Sequence, residues 1–418
     1  MVKDDYVDRV QVAVIGAGPS GSLAASLLNN QGIDVRVLEK SRFPRFSIGE
    51  SLLPQSMVYL EEAGLAGVLE KHAEQLAFQL KNGAAFSYQG KETTFDFTEK
   101  FSPGPGITFQ VKRAAFDQLL AEEAMAQGVD VRFEHSIEDV QVSDDGALLS
   151  CVNEQGEHYQ LHAEFVLDAS GFARVLPRLF DLEMPSGFAP RQSFFTHVVD
   201  GIDCANFDRN KILISIHPEC KDIWYWLIPF ADGTSSLGVV GEVAFFAEKT
   251  GTAEDIFKDM VFAEPGLAKL LAQAQFSNPV NTLKGYSAKV KNLFGDRFAL
   301  LGNAAEFLDP VFSSGVTIAF TSASLAAKTL GRHFAGEAVD WQRDFADKLQ
   351  SGVDVFRTYV ESWYQGTFQD VIFYPTPEPQ VKRMICSILA GYAWDNSNPF
   401  VAESQRRLTT LGKICQLG

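Results

Sequence analysis

The sequence predicts an α/β protein: a Rossmann-like dinucleotide-binding domain, an antiparallel β-sheet inserted within it, and a helical C-terminal region. Three observations predict this. A glycine-rich turn links an apolar run to a helical pattern near the N-terminus. Strand-like segments bounded by Gly, Pro and Asp fill the middle of the chain. Helical periodicity dominates after residue 337. With 418 residues, the chain is too long for one ordinary core, so two or three subdomains are expected.

Residues 10–15, VQVAVI, form a short apolar run typical of a buried strand. GAGPSG follows, then SLAASLLNNQG with helical spacing, then the second strand IDVRVLEK. This is a βαβ unit. AAFDQLLAEEAMAQ (114–127) reads as an amphipathic helix ended by Gly128, and the strand VDVRFE follows. Residues 138–167 alternate as a meander, with turns at Asp144-Asp145-Gly146 and Glu154-Gln155-Gly156. FVLDASG (165–171) is a further strand and turn. From about 176 to 290 the pattern is β-rich, with FFTHVVDGI, KILISIH, IWYWLIPF and SSLGVVGEV as strands. RFALLGNAAEFLDP (297–310) reads as strand then loop. SSGVTIAFTSASLAAKTLG reads as a long helix ending at Gly331. The expected division is 1–175 and 291–337 for the dinucleotide-binding domain, 176–290 for the sheet domain and 338–418 for the helical region. Segments near 75–110 are assigned to the substrate side.

The composition is 46% hydrophobic and 21% charged, with a net charge of −17. That balance suits a soluble globular protein and argues against nucleic acid or an anionic membrane as partner. No apolar run approaches the roughly 18 residues of a membrane span, and the charged start MVKDDYVDRV has no signal core. The expected location is the cytoplasm. The five cysteines are scattered and read as reduced thiols. The seven histidines lack ligand spacing, so no metal is expected.

Gly16, Gly18 and Gly21 form G-x-G-x-x-G, followed within the motif by Pro19 and Ser20. The first Gly permits the turn, the second lets backbone approach a pyrophosphate, and the third lets helix pack on strand. Glu39 ends the next strand, where an acid takes a ribose hydroxyl. NAD and FAD are both open on these residues alone.

Three further stretches, FQVKRAAFD (109–117), DASG (168–171) and GNAAEFLDP (302–310), resemble in this order the signatures of the p-hydroxybenzoate-hydroxylase-like FAD flavoproteins. The resemblance implies FAD, with Arg113, Asp168, Gly302 and Asn303 at the cofactor. The family has Asp where this chain has Asn303. An amide still hydrogen-bonds a hydroxyl, and nearby Asp309 is a substitute candidate, though its place before Pro310 suits a turn equally well.

Within that group, W-x-W-x-I-P is present as Trp224, Trp226, Ile228 and Pro229, and F-x-x-P-x-x-S-x-G as Phe307, Pro310, Ser313 and Gly315. FPRFSIGESLLP (43–54) and FQLKNGAAF (78–86) accompany them. Together they resemble the flavin-dependent halogenases of the phenol and carrier-tethered-pyrrole type. The resemblance implies that reduced FAD and dioxygen turn halide into hypohalous acid. It places the halide at Ser314 and Gly315, makes Lys81 the catalytic residue, and gives the Trp pair the task of keeping organic substrate from the flavin. Phe307, Pro310 and Ser313 would line the passage, and Pro229 and Phe312 are expected on the same cavity. Taken alone, the two Trp read as sheet core, and Lys81, beside the Asn82-Gly83 turn, reads as solvated.

Phe312 stands where the free-tryptophan halogenases carry Glu. That directs the expected substrate towards a phenol or an aryl group on a carrier protein, with Lys284, Lys289, Lys291 and Arg297 as candidate docking charges, which a solvated face explains equally well. A separate flavin reductase is the expected source of reduced FAD. Trp363, Tyr364 and Trp394 read as helix-packing core, with cover of a substrate channel as the alternative. Two other functions stay open: an FAD monooxygenase or dehydrogenase on the same scaffold, and a flavin-binding pathway partner without turnover.

Overall fold

The structure, a computed structural model, describes residues 8–203, 205 and 207–417. The charged start at 1–7 and Cys204 lie outside them. A parallel sheet has the order Asp130–Phe133, Val35–Glu39, Asp8–Ile15, His158–Asp168, Phe298–Leu300. Its first strand is buried on both faces: Val12 and Val14 join one core, Ala13 and Ile15 another. Burial on both faces is why this strand reads as an unbroken apolar run. Helices Pro19–Asn29 and Gly315–Phe334 pack together on one side. The meander Ser136–Ser143, Gly146–Val152 leads into His158–Asp168, and its apolar residues join the core of the other side.

The second sheet has seven strands in the order Asn281–Lys284, Arg191–Val199, Thr234–Glu242, Trp224–Pro229, Lys211–Ile216, Gly83–Tyr88, Lys91–Asp96. All its pairings are antiparallel except Lys211–Ile216 with Gly83–Tyr88. Residues 83–96 thus supply two strands from early in the chain. The fold class read from the sequence holds: a parallel α/β sheet, a largely antiparallel second sheet, and helices at the C-terminus.

The tryptophan strand is central, and all six of its residues are buried. Alternation divides them. Trp224, Trp226 and Ile228 face the main core, while Tyr225 and Leu227 face a second core that includes residues of helices Ala253–Ala263 and Pro265–Leu270. The Tyr225 hydroxyl donates to the Met260 carbonyl at 2.9 Å. The strand pattern from 176 to 290 is therefore interrupted by helices. Their starts carry local signals: a capping box between Thr252 and Asp255, and Glu264 capping the helix that opens with Pro265.

Two glycines matter for different reasons. Gly331 does not end its helix, which continues to Phe334. A β-carbon there would run into the Gln31 side chain, so this Gly permits close approach. Gly238 lies opposite Trp226 in the register of the neighbouring strand, and a β-carbon there would overlap the indole's six-membered ring. Gly238→Ala is expected to displace Trp226 and cost about 1–3 kcal/mol. Denaturant unfolding and a shift in tryptophan emission check this together.

In the C-terminal region, helix Asp347–Tyr364 carries Trp363, fully buried with its ring 5.8 Å from Phe312 and 6.0 Å from Phe86. Trp394 packs on Phe356. Phe312, expected on the cavity, does not line it and is helix-packing core against Trp363 and Phe368.

Candidate active site

One cavity of about 540 Å³ joins the two sheets. Gly16, Gly18, Pro19 and Ser20 line it, and so do Trp224, Trp226 and Ile228. Gly16 has φ +96°, and a β-carbon there would sit 2.8 Å from the Ala169 carbonyl oxygen. Only Gly suits both demands. Gly21 lies outside the cavity and packs against the Gly16 carbonyl, which is the helix-on-strand contact its spacing predicts.

Helix Pro19–Asn29 begins without a side-chain cap and without an acid in its first turn. Helix Gly315–Phe334 begins the same way, with Gly315 on the cavity wall and Ser314 buried behind it. Both N-terminal ends leave backbone N–H groups to an anion. Ser313, on the wall beside Gly315, holds φ +56°, a conformation that costs on the order of 1 kcal/mol or more for a residue with a side chain.

Glu39 accepts from the backbone N–H of Ala17 and of Ser41, each at 2.9 Å. A carboxylate has about four acceptor sites, so capacity remains for a ribose hydroxyl. Arg45, not singled out from sequence, lines the same stretch near Gly18 and pairs with Asp117 at 3.3 Å. Arg113 also lines the cavity, yet its guanidinium is committed: to both oxygens of Asp117 at 2.7 and 3.0 Å, and to the Ile48 carbonyl at 2.7 Å. It holds the segment 45–51 in place. Asn303 lines the cavity, with Gly302 beneath it.

Two acids meet backbone instead of the cavity. Asp168 is fully buried and accepts from the N–H of Ser170 and of Leu176. Asp309 caps the turn at Val311, at 3.1 Å, and meets the Tyr286 hydroxyl. Neither lines the cavity. Burial pushes the Asp309 carboxyl up to about 6, against the opposing pull of Arg191. The turn reading of Asp309 is the one the geometry supports.

The Trp rings stand 5.9 Å apart at 46°. Trp226 donates to the Ser236 hydroxyl at 3.1 Å, and Trp224 donates to the Tyr364 hydroxyl at 2.9 Å. Tyr364 lies 3.4 Å beneath the Arg191 guanidinium, which is bidentate on Asp222. A C-terminal residue thus fixes the orientation of the cavity wall. Pro229 ends the strand beyond the lining, whereas Phe307 and Pro310 belong to it.

Lys81 is not solvated. It is 1% exposed. Its amine donates to the Ser51 hydroxyl at 2.6 Å and to the Leu52 carbonyl at 2.8 Å, 5.5 Å from the Phe97 ring centre. Desolvation lowers its pKa to about 7. Ser51 lines the cavity and Lys81 does not, so the amine sits one side chain behind the wall. Among the described residues no group of His, Cys, Asp and Glu could hold a metal.

Two open helix ends, a Glu39 carboxylate with spare capacity and a cavity of about 540 Å³ suit a dinucleotide that carries a reactive ring. The fold and the cavity define a dinucleotide-binding protein. The family profile described as FAD binding domain matches residues 9–349. A 1H-pyrrole-2-carbonyl-[peptidyl-carrier protein] chlorinase of Pseudomonas fluorescens is 30% identical, over 95% of this chain and 92% of its own. A tryptophan 2-halogenase of Chondromyces crocatus is 31% identical over 78% of this chain, and the match spans only 62% of that relative's length. Among solved structures, a flavoprotein/dehydrogenase from Cytophaga hutchinsonii has a TM-score of 0.94 at 42% identity, covering 98% of this chain and 100% of its own. The myxobacterial chondrochloren halogenase has a TM-score of 0.74 at 26% identity, covering 98% and 97%. The chain belongs to the FAD binding domain family and, within it, to the flavin-dependent halogenase-like proteins. FAD is its cofactor. No described helix is long and apolar enough to cross a membrane.

Proposed function

We propose that the protein halogenates an electron-rich aromatic ring, a phenol or an aryl group tethered to a carrier protein. The observation that carries this reading is the placement of a desolvated lysine amine directly behind a cavity that also holds an open helix end and the paired Trp. When bound in reduced form, FAD supplies the reducing power with which dioxygen converts halide to hypohalous acid. The backbone N–H groups at Ser314 and Gly315 hold the halide. Trp224 and Trp226 keep the organic ring from the flavin. Lys81, reached past the Ser51 hydroxyl, holds the halogen by a hydrogen bond or as a haloamine, and a pKa near 7 leaves much of the amine neutral for either task. The related chlorinase acts on a pyrrole held by a peptidyl carrier protein, which supports a tethered substrate here.

A second reading, an FAD monooxygenase or dehydrogenase, is favoured by the 42% identical structure described as a flavoprotein/dehydrogenase. NADH consumption separates the two. As a halogenase, the purified protein oxidises NADH only when a separate flavin reductase is added. Oxidation by the protein alone, stimulated by a phenol, supports the second reading.

A further inference from the structure

The last two turns of helix Asp347–Tyr364 touch both the Trp strand and the turn that leads to the helix end at Ser314 and Gly315. Arg357 pairs with Glu306, next to Phe307. Trp363 meets the ring of Phe312, two residues before Ser314. Tyr364 touches both parts at once. Its hydroxyl accepts from Trp224 Nε1 at 2.9 Å and, as a donor, favours the charged form of Asp309. Asp309 in turn caps the N–H of Val311 at 3.1 Å. From there the chain runs through Ser313, at φ +56°, into Ser314 and Gly315. The Tyr364 ring is itself held. Arg191 stacks on it, and Asp222, just before the Trp strand, holds Arg191. Gln369, in the next helix, donates to the Lys221 carbonyl at 2.9 Å.

We propose that Tyr364 is a positioning residue that holds the Trp224 wall and the turn before Ser314 and Gly315 in one arrangement, so that halide binding depends on the C-terminal helices. This rests on the halogenase reading. An anion site made of backbone N–H groups works only while those groups converge. Here the turn before it contains a left-handed serine, and such a residue persists only where its surroundings over-determine it. The helix that follows has no side-chain cap of its own. The shape of the turn is therefore imposed from outside, by Asp309, Trp363 and Arg357. Of these, Asp309 is the one connected through Tyr364 to the Trp wall. A change at the Tyr364 hydroxyl reaches the Val311 turn and Trp224 together.

The groups acting on Asp309 are Arg191, Tyr286 and Tyr364, with the N–H of Val311. Tyr364→Phe keeps the ring beneath Arg191, and Tyr286 keeps its own contact with Asp309. The difference between wild type and variant therefore isolates one hydroxyl.

The test titrates bromide against the flavin absorbance of the oxidised, FAD-loaded protein. Tyr364→Phe should weaken the bromide Kd about 10-fold, the size of one hydrogen bond. In turnover with a separate reductase and a phenol, KM for bromide should rise by the same factor and KM for the phenol should stay. Lost folding alone would instead lower kcat and leave both KM values. Trp224→Phe frees the same hydroxyl from the other side, and in that background Tyr364→Phe should cost less than it does alone. If Tyr364→Phe does not fold, Trp224→Phe carries the test, with bromide about 3-fold weaker. Trp394→Phe is the control: Trp394 packs on Phe356 of the same helix and donates to the Lys348 carbonyl at 2.9 Å. It should lower stability without moving the bromide Kd. Equal bromide affinity in wild type and Tyr364→Phe, strictly additive effects in the cycle, or no bromide binding by wild type would overturn the proposal. So would an equal shift in Trp394→Phe, which would make Tyr364 ordinary helix packing. Failure of the halogenase reading shows separately, as a wild type that binds bromide but gives no brominated product.

Discussion

Lys81→Met is expected to lower halogenated product per reduced flavin consumed by about 1000-fold, while flavin reoxidation continues. The same variant should be more stable than wild type. Holding an amine at a pKa of about 7, from 10.5, corresponds to about 5 kcal/mol against the charged form. The bonds to Ser51 and Leu52 offset part of this at about 1 kcal/mol each. The net gain expected for Met at pH 7 is on the order of 3 kcal/mol. The sign of its pH dependence follows from linkage. The unfolded lysine binds a proton between about pH 10 and 7 that the folded one does not, so wild-type stability falls as pH drops through that window and levels off below it. The variant lacks this slope, so its advantage shrinks at pH 9.5. Urea unfolding at the two pH values checks the stability, and product analysis against oxygen uptake checks the coupling. A variant less stable than wild type at both pH values would make Lys81 a structural anchor.

Arg113→Met should cost about 3–5 kcal/mol and release bound FAD. The variant leaves Asp117 buried without its bidentate partner, and a buried charge stripped of its partner is costly. Arg45, at 3.3 Å, compensates only in part. The carbonyls of Ile48 and Gly49 lose their donor at the same time, which frees the segment carrying Glu50 and Ser51. Thermal unfolding followed by flavin fluorescence measures both effects. Loss of FAD without loss of protein stability would instead assign Arg113 to direct cofactor binding.

Local physics made much of this legible in the sequence. The glycine turn and its strands follow from short-range sterics and alternation. The Trp pair on one face follows from the period of a strand, and the structure puts both rings on the cavity wall. Long-range placement was not legible. Nothing around Asn82-Gly83 announces that Lys81 is buried, because its burial comes from Ser51, Leu52 and Phe97 on separate segments. Arg113 reads as a cofactor contact until Asp117, one helical turn on, is seen to hold it. Asp168 and Asp309 look like ligands in sequence, yet they cap backbone N–H groups. Tyr364 reads as helix packing, but its partner Trp224 lies 140 residues away, which no spacing rule reaches. The helices between 243 and 270 had legible caps in Thr252 and Glu264, masked by the apolar strands around them.

The most direct measurement is mass spectrometry of a single reaction. Purified protein is supplied with FAD, a flavin reductase, NADH, oxygen, bromide and a panel of phenols with a carrier-tethered pyrrole. The account predicts a brominated product that requires the protein and disappears with Lys81→Met. A product heavier by one oxygen, or lighter by two hydrogens, would contradict it and make Trp224 and Trp226 the lining of a hydroxylase or dehydrogenase cavity.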